Sequence, residues 1–332
     1  MSFEMYDLII IGAGPAGISA ADTAQREGLN YLVLEKGLIA NTVYNYPIGL
    51  TVFSTTNELE LREGELKPLS EKPLREELLS YYVRFVLDNR LNVKTEEEVT
   101  GVEKISDDEF IVRASKSEYK TKKILFAIGA MDYPRKLNCK GEDLPKIFHR
   151  FHETYPYVRK NALVVGGGNS AAEAALFLAE EGANITLAIW RSDWENHDPK
   201  QGAIKHWVRT PLEKQIGLGR LNLILYKELI EITESEVLLK TDNEETITLP
   251  NDVVFILIGS DADLTLLKNL GCETTYSKYG EVPVYNEETF ETNVRGIYVA
   301  GHFTNHRHIK EAITVPRKAV PLIAKQLARE QA

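Results

Sequence analysis

The chain is poor in cysteine. Of 332 residues only Cys139 and Cys272 carry a thiol, and they lie far apart in sequence. There is therefore no Cys-x-x-Cys pair to relay electrons through a dithiol and no disulfide framework to deduce. Long apolar runs are missing too: nothing approaches the roughly 18 uninterrupted apolar residues that a membrane span requires. Met1 leads almost directly into a strand with no basic leader, so a cytoplasmic protein with no membrane partner is expected. Positive charge is also short. Lys and Arg number 39 against 49 Asp and Glu, a net charge of -10, which opposes non-specific attraction to phosphate backbones and argues against nucleic acid as a partner. With 43% hydrophobic and 27% charged residues the chain still reads as an ordinary folded protein, long enough for two domains.

What is present is a repeated pattern. Residues 6–11 are nearly all apolar, as in a strand buried on both faces of a parallel sheet. A glycine-rich turn, an Ala-rich helical stretch at 18–26 and a second apolar run at Tyr31–Leu34 complete a βαβ unit. Residues 41–73 are polar and irregular, too long for an ordinary βα connection, and are expected to wrap a ligand or pack against a partner subunit. Residues 74–89 have helical periodicity, 93–99 and Glu109–Ala114 read as strands of a hairpin-rich insertion, and 124–127 reads as another buried strand. The first pattern then starts again, with an apolar run at 162–165, a turn at Gly166 to Gly168, a helix over 171–180 and a strand over Asn184–Ile189. Strands at 221–226, 236–240, 253–258 and 296–300 and a helix over 315–329 close the chain. The expected fold is α/β, two Rossmann-like three-layer dinucleotide-binding domains, one inserted in the other. The outer, FAD-binding domain is expected over 1–124 and 251–332 and the inner, NAD(P)H-binding domain over 125–250.

The first motif, Gly12-Ala13-Gly14-Pro15-Ala16-Gly17, has the form G-x-G-x-x-G between a strand and a helix. Gly12 permits the tight turn, Gly14 lets the backbone approach a pyrophosphate, and Gly17 lets helix and strand pack closely. The helix start adds free N–H groups and partial positive charge, and Glu35, ending the next strand, is placed to accept hydrogen bonds from ribose hydroxyls. Lys36, Asn41, Thr42, Val99 and Gly129 complete the residues expected around this dinucleotide. The motif does not by itself separate FAD from NAD. The N-terminal placement, the second motif and the late segment Thr292-Asn293-Val294-Arg295-Gly296-Ile297-Tyr298-Val299-Ala300-Gly301 favour FAD.

The second motif, Gly166-Gly167-Gly168-Asn169-Ser170-Ala171, matches G-x-G-x-x-A, the last small residue being Ala where the helix need not come quite so close. No acidic residue ends the following strand, which reads Ile189-Trp190-Arg191-Ser192. A carboxylate there would repel a 2′-phosphate and Arg191 can pair with one, so NADPH is expected, with NADH as the alternative. Trp190, Trp194 and Trp207 are expected to pack the edge of this domain.

Together the two motifs, the crossing segment Ala127-Ile128-Gly129-Ala130 and the final Ala-Gly strand resemble the low-molecular-weight thioredoxin reductases over essentially the whole chain. Asn41-Thr42-Val43-Tyr44-Asn45-Tyr46-Pro47, Phe53-Ser54-Thr55, Asp132-Tyr133-Pro134 and Gly141-Glu142-Asp143-Leu144-Pro145-Lys146 look like the bacillithiol-disulfide (bacilliredoxin) reductase branch. The resemblance implies a homodimeric, FAD-dependent NADPH oxidoreductase. In such enzymes the final strand ends in Ala-Gly-Asp, the Asp holding the flavin's ribityl chain; here His302 stands in that place. The following segment with Ala312 and Ile313 corresponds to backbone N–H groups that face the flavin's pyrimidine oxygen. Pro316 is read as a first-turn proline of the last helix.

The departures bear on the acceptor. Thioredoxin reductases carry Cys-x-x-Cys in the inserted domain, and none exists here; the bacillithiol-disulfide branch carries a cysteine within the first glycine motif, where this chain has Ala16. Alanine supplies no thiolate to attack a disulfide. Cys139 is the remaining candidate catalytic residue, although a lone cysteine is more often inert and partly buried. Three readings follow: electrons pass to an acceptor that needs no enzyme thiol (a ferredoxin-like protein, a quinone or a small oxidant), to a low-molecular-weight disulfide through Cys139 or the flavin itself, or nowhere, in a non-catalytic flavin- or nucleotide-binding sensor. His302, His306 and His308 lack matching Cys or acidic ligands, so no metal is expected. His149 and His152 are expected to be solvated or interfacial.

Overall fold

The computed structural model describes residues 5–190, 194, 204–278 and 280–330. The chain divides into two compact units, Met1–Tyr133 with Asp261–Ala332, and Pro134–Ser260.

In the first unit Met5–Ile11 runs parallel to Tyr31–Leu34 on one side and to Glu118–Phe126 on the other. Alternation along that opening strand sends Leu8 and Ile10 to one face and Ile9 and Ile11 to the other. Leu8 and Ile10 join a core with Ala20, Ala24, Val320 and Ile323 from the first and last helices. Ile9 and Ile11 join Phe110, Phe126 and Phe303 beneath the sheet. The region expected as a separate hairpin insertion is continuous with this sheet: Val99–Ser106, Glu109–Ala114 and Glu118–Phe126 form an antiparallel meander. The last of these strands then pairs parallel with Ile297–Val299. The run at 93–99 is broken into Val93–Lys94 and a new strand from Val99 because Glu96 turns into the left-handed region, φ +52°.

The closing helix spans Ile309–Glu330, not 315–329, so Pro316 sits inside it and not in its first turn. A proline within a helix removes an N–H donor and opens the local ladder. Just before it, the Ile313 carbonyl accepts a 2.6 Å hydrogen bond from the Ser19 hydroxyl on the first helix, Pro15–Arg26.

The second unit repeats the plan. Asn161–Val165, Asn184–Ile189 and the first half of Leu221–Ile232 are parallel, and an antiparallel meander continues through Glu236–Thr241 and Thr246–Pro250. Ala162 and Val164 face the helices Asn169–Glu180 and His206–Gly217, while Leu163 and Val165 face Val237 and Leu239. Val253–Ile256 pairs with Asn161–Val165 and so belongs to this sheet. The run expected at 253–258 therefore stops short. The crossings fall at 133/134 and 260/261, later than the expected 124/125 and 250/251, because residues 118–126 are still a strand of the first sheet and 253–256 a strand of the second. No described helix is long and apolar enough to cross a membrane.

Candidate dinucleotide sites

The first glycine loop is closed by backbone on two sides. Gly12 has φ +107°, and a Cβ there would lie 2.5 Å from the Ala127 carbonyl oxygen; a Cβ on Gly17 would fall on the Gly12 carbonyl oxygen itself. Around Gly14 the Cβ direction is open to 4 Å. The loop is thus tight where strand meets helix and open where a pyrophosphate would approach the helix start. Pro15 is the first helical residue, a position that needs no N–H donor, and Ala16 is buried against Gly301, whose own Cβ would lie 3.1 Å from the Ala16 methyl.

Glu35 holds this loop in shape. Its carboxylate is buried, one oxygen accepting the Ala13 N–H at 2.7 Å and the other the Gly37 N–H at 2.7 Å. Each carboxylate oxygen keeps a further lone pair for a ribose hydroxyl. Lys36 is half-exposed and ion-paired with Asp132, a partner that nothing in the sequence indicates. Asn41 and Thr42 open a short helical turn, Asn41–Tyr44, which starts from Ala40, whose N–H bonds the Ala13 carbonyl at 2.9 Å. Val99 is buried at the start of its strand and Gly129 turns with φ +75°. Ala312 and Ile313 are buried in the first turn and a half of the last helix.

His302 follows Gly301 directly beyond the final strand. Burial pulls its pKa below the usual histidine value, a hydrogen bond to the Arg307 backbone working the other way, so the ring is neutral at neutral pH. Nε2 is enclosed without a hydrogen-bond partner, which leaves the Arg307 bond to Nδ1. His306 Nδ1 lies 3.8 Å from Glu311, and the His308 N–H bonds Glu311 at 3.2 Å. Among the described residues no three His, Cys, Asp or Glu side chains gather to hold a metal.

The second loop repeats the first loop's geometry with Ala171 in place of the third glycine. Gly166 has φ +151°, and a Cβ there would collide with the Leu257 carbonyl oxygen and stand 2.9 Å from the Ala171 methyl; Gly168, like Gly14, is open. Asn169 and Ser170 begin the helix, and Asn169 Oδ1 accepts the Lys205 N–H at 2.8 Å, fastening the start of His206–Gly217 to the cradle. Arg191, the expected 2′-phosphate partner, and Ser192 lie outside the described residues. The tryptophans, all expected at the domain's edge, divide: Trp194 is buried in the core, while Trp190 is 63% and Trp207 38% exposed, because the first stands past its strand's end and the second at a helix start. His149 is half-buried, with Nδ1 enclosed and unbonded.

Neither thiol is activated. Cys139 is half-buried in the second unit, its pKa pushed up to about 11 by burial and by the Glu142 charge. The buried Cys272 is raised as well by burial, against a contact with the Thr292 hydroxyl at 3.5 Å.

Two Rossmann-type units, each with a strand, a glycine cradle open at its second glycine and a helix start beyond it, define a reductase that binds two dinucleotides. The chain belongs to the pyridine nucleotide-disulphide oxidoreductase family, whose pattern matches residues 9–301. It is similar to bacilliredoxin reductase Bdr of Bacillus subtilis (strain 168), 38% identical over 88% of both chains. It is similar also to the ferredoxin–NADP reductase of Ignicoccus hospitalis, 27% identical over 90% of both. In structure it resembles bacillithiol disulfide reductase Bdr (YpdA) from Staphylococcus aureus, with TM-score 0.90 and 31% identity, covering 99% of this chain and 100% of that one. The chain is an FAD-dependent NAD(P)H oxidoreductase of the thioredoxin-reductase type. The residues present fit two such groups: the open faces of Gly14 and Gly168 each leave room that a side chain would fill, and each adjoins a helix start.

Proposed function

We propose that this chain takes hydride from NADPH and delivers electrons to an acceptor that needs no enzyme thiol, a ferredoxin-like protein, a quinone or a small oxidant. The absence of an activated thiol carries this reading. Ala16 stands at the loop position where a thiol would be needed, and Cys139 and Cys272 both remain protonated at neutral pH. A protonated thiol does not attack a disulfide.

In this reading the first unit, through Gly12, Gly14, Pro15, Ala16, Gly17, Glu35, Lys36, Asn41, Thr42, Val99, Gly129, Gly301, His302, Ala312 and Ile313, holds FAD. The second, through Gly166, Gly168, Asn169, Ser170, Ala171 and Arg191, holds NADPH. When bound, FAD supplies the two-electron relay between nicotinamide and acceptor. The protein's part is to align two rings and exclude water, with little acid–base work for side chains. Homodimerisation and a cytoplasmic location accompany this reading.

Steady-state NADPH and NADH oxidation with ferredoxin, quinone and disulfide acceptors tests it. Turnover with the first two classes that survives Cys139→Ser supports it; disulfide turnover abolished by Cys139→Ser would overturn it. Ala16→Cys should confer disulfide reduction that the parent chain lacks, since it places a thiol in the loop built for the flavin.

A further inference from the structure

Trp190 directly follows the strand Asn184–Ile189. In a dinucleotide-binding unit, the residue ending this strand faces the ribose of the adenosine half. The corresponding residue of the first unit is Glu35, a buried carboxylate. Here a large indole stands in its place, 63% exposed. It cannot accept hydrogen bonds from ribose hydroxyls, since its only polar group is an N–H donor. What it offers instead is a broad π face with no charge to repel a phosphate.

That exposure is not general to this unit's tryptophans, since Trp194 is 8% exposed and belongs to the core. At the start of the next helix, the Lys205 N–H is bonded to Asn169 Oδ1 in the cradle. We propose that Trp190 is the stacking platform for the adenine ring of NADPH. The second unit reads its nucleotide by π contact where the first unit has a carboxylate. This rests on the assignment of the second cradle to NADPH.

The test uses the FAD-loaded protein and 2′,5′-ADP, which carries the adenine and the 2′-phosphate but no nicotinamide, so the flavin stays oxidised. Stacking of a base on an aromatic side chain, measured by alanine substitution, corresponds to between about five- and 150-fold in affinity. Calorimetric titration should show Trp190→Ala weakening 2′,5′-ADP by that range and Trp190→Phe retaining most of the affinity. Flavin content should stay unchanged in both, since Trp190 belongs to the second unit and the flavin is assigned to the first. Trp207→Ala should cost less than Trp190→Ala. Unchanged affinity in Trp190→Ala, or a loss confined to Trp207→Ala, would overturn the stacking role while leaving the nucleotide site standing. Failure of the unsubstituted, flavin-loaded protein to bind 2′,5′-ADP would remove the nucleotide assignment and the stack together, and so is distinguishable from either.

Discussion

The two glycine cradles use one backbone plan and differ at the third small residue and at the residue that follows the next strand. In the first, Gly17 has no room for a methyl against the Gly12 carbonyl, and Glu35 ties Ala13 and Gly37 together from beneath. In the second, Ala171 carries the methyl that Gly17 cannot, and the strand ends on an exposed Trp190. The first cradle is held in shape by its own Glu35 side chain, and under the proposed assignment that suits the ligand that stays, FAD, while the second serves the ligand that must come and go each turnover. Preorganisation lowers the ordering cost of binding and so favours retention over exchange.

The largest expected effect comes from making the first cradle imitate the second. Gly17→Ala sets a methyl on a carbonyl oxygen that belongs to the backbone and cannot swing aside, so the chain should lose flavin and much of the first unit's stability. The flavin-to-protein absorbance ratio and the melting curve measure both. The reverse change, Ala171→Gly, should cost only about 1 kcal/mol through helix propensity and leave nucleotide binding intact. Equal damage from both would show that the cradles do not differ as described.

Next in size is Glu35→Ala, which leaves two backbone donors, Ala13 and Gly37, without their acceptor. Hydrogen bonds to charged groups are each worth about 1.5–3 kcal/mol, so a loss of about 3 kcal/mol or more is expected by chemical denaturation, with weakened FAD retention. Glu35→Gln, which keeps one acceptor oxygen, should fall between.

The second unit has a half-buried carboxyl of the opposite kind. Glu173, on the helix that opens at the second cradle, has no partner among the described residues, and burial alone pushes its pKa up to about 7. A raised carboxyl pKa means that the folded state binds the proton more tightly than the unfolded one. Stability is therefore highest below the ordinary value of 4.5 and falls as pH rises to about 7, then levels off. The fall amounts to about 3 kcal/mol at 1.36 kcal/mol per pKa unit. Glu173→Gln should flatten denaturation midpoints across that window and exceed the parent in stability at pH 8. A parent protein already flat from pH 5 to 7 would contradict the burial of this group.

Much of this contrast could be read in the sequence, because glycine spacing encodes backbone demands that the residue type alone meets: Gly12 and Gly166 are needed for φ and close approach. What could not be read depends on distant partners. The apolar run at 253–256 carries no mark of which sheet it joins. Pro316 looks like a helix start, since proline suits a first turn, yet the helix already runs from Ile309. An acidic residue at position 35 is legible, but not that its oxygens are already engaged by Ala13 and Gly37. Glu173 gives no signal at all, since an acidic residue in a helix is ordinary and only its burial distinguishes it. Trp190 is visible as a type, while its exposure is not.

The smallest effect expected is at the thiols, where the two units agree. Cys139 and Cys272 are both raised above the ordinary value, chiefly by burial. For Cys139 the folded pKa of about 11 exceeds the ordinary 9, so the thiol favours the folded state fully below pH 9, and this advantage fades as pH climbs toward 11. Between pH 7 and 9 the thiolate is scarce, and alkylation by iodoacetamide should be slow and should leave NADPH oxidation by a quinone unchanged. Cys139→Ser should behave as the parent in the same assay, because swapping one protonated group for another removes no nucleophile. Rapid alkylation at pH 7 with parallel loss of turnover would mean that the half-buried thiol meets a cation during catalysis, and the difference between this chain and a thiol-dependent reductase would then collapse to the location of one sulfur atom.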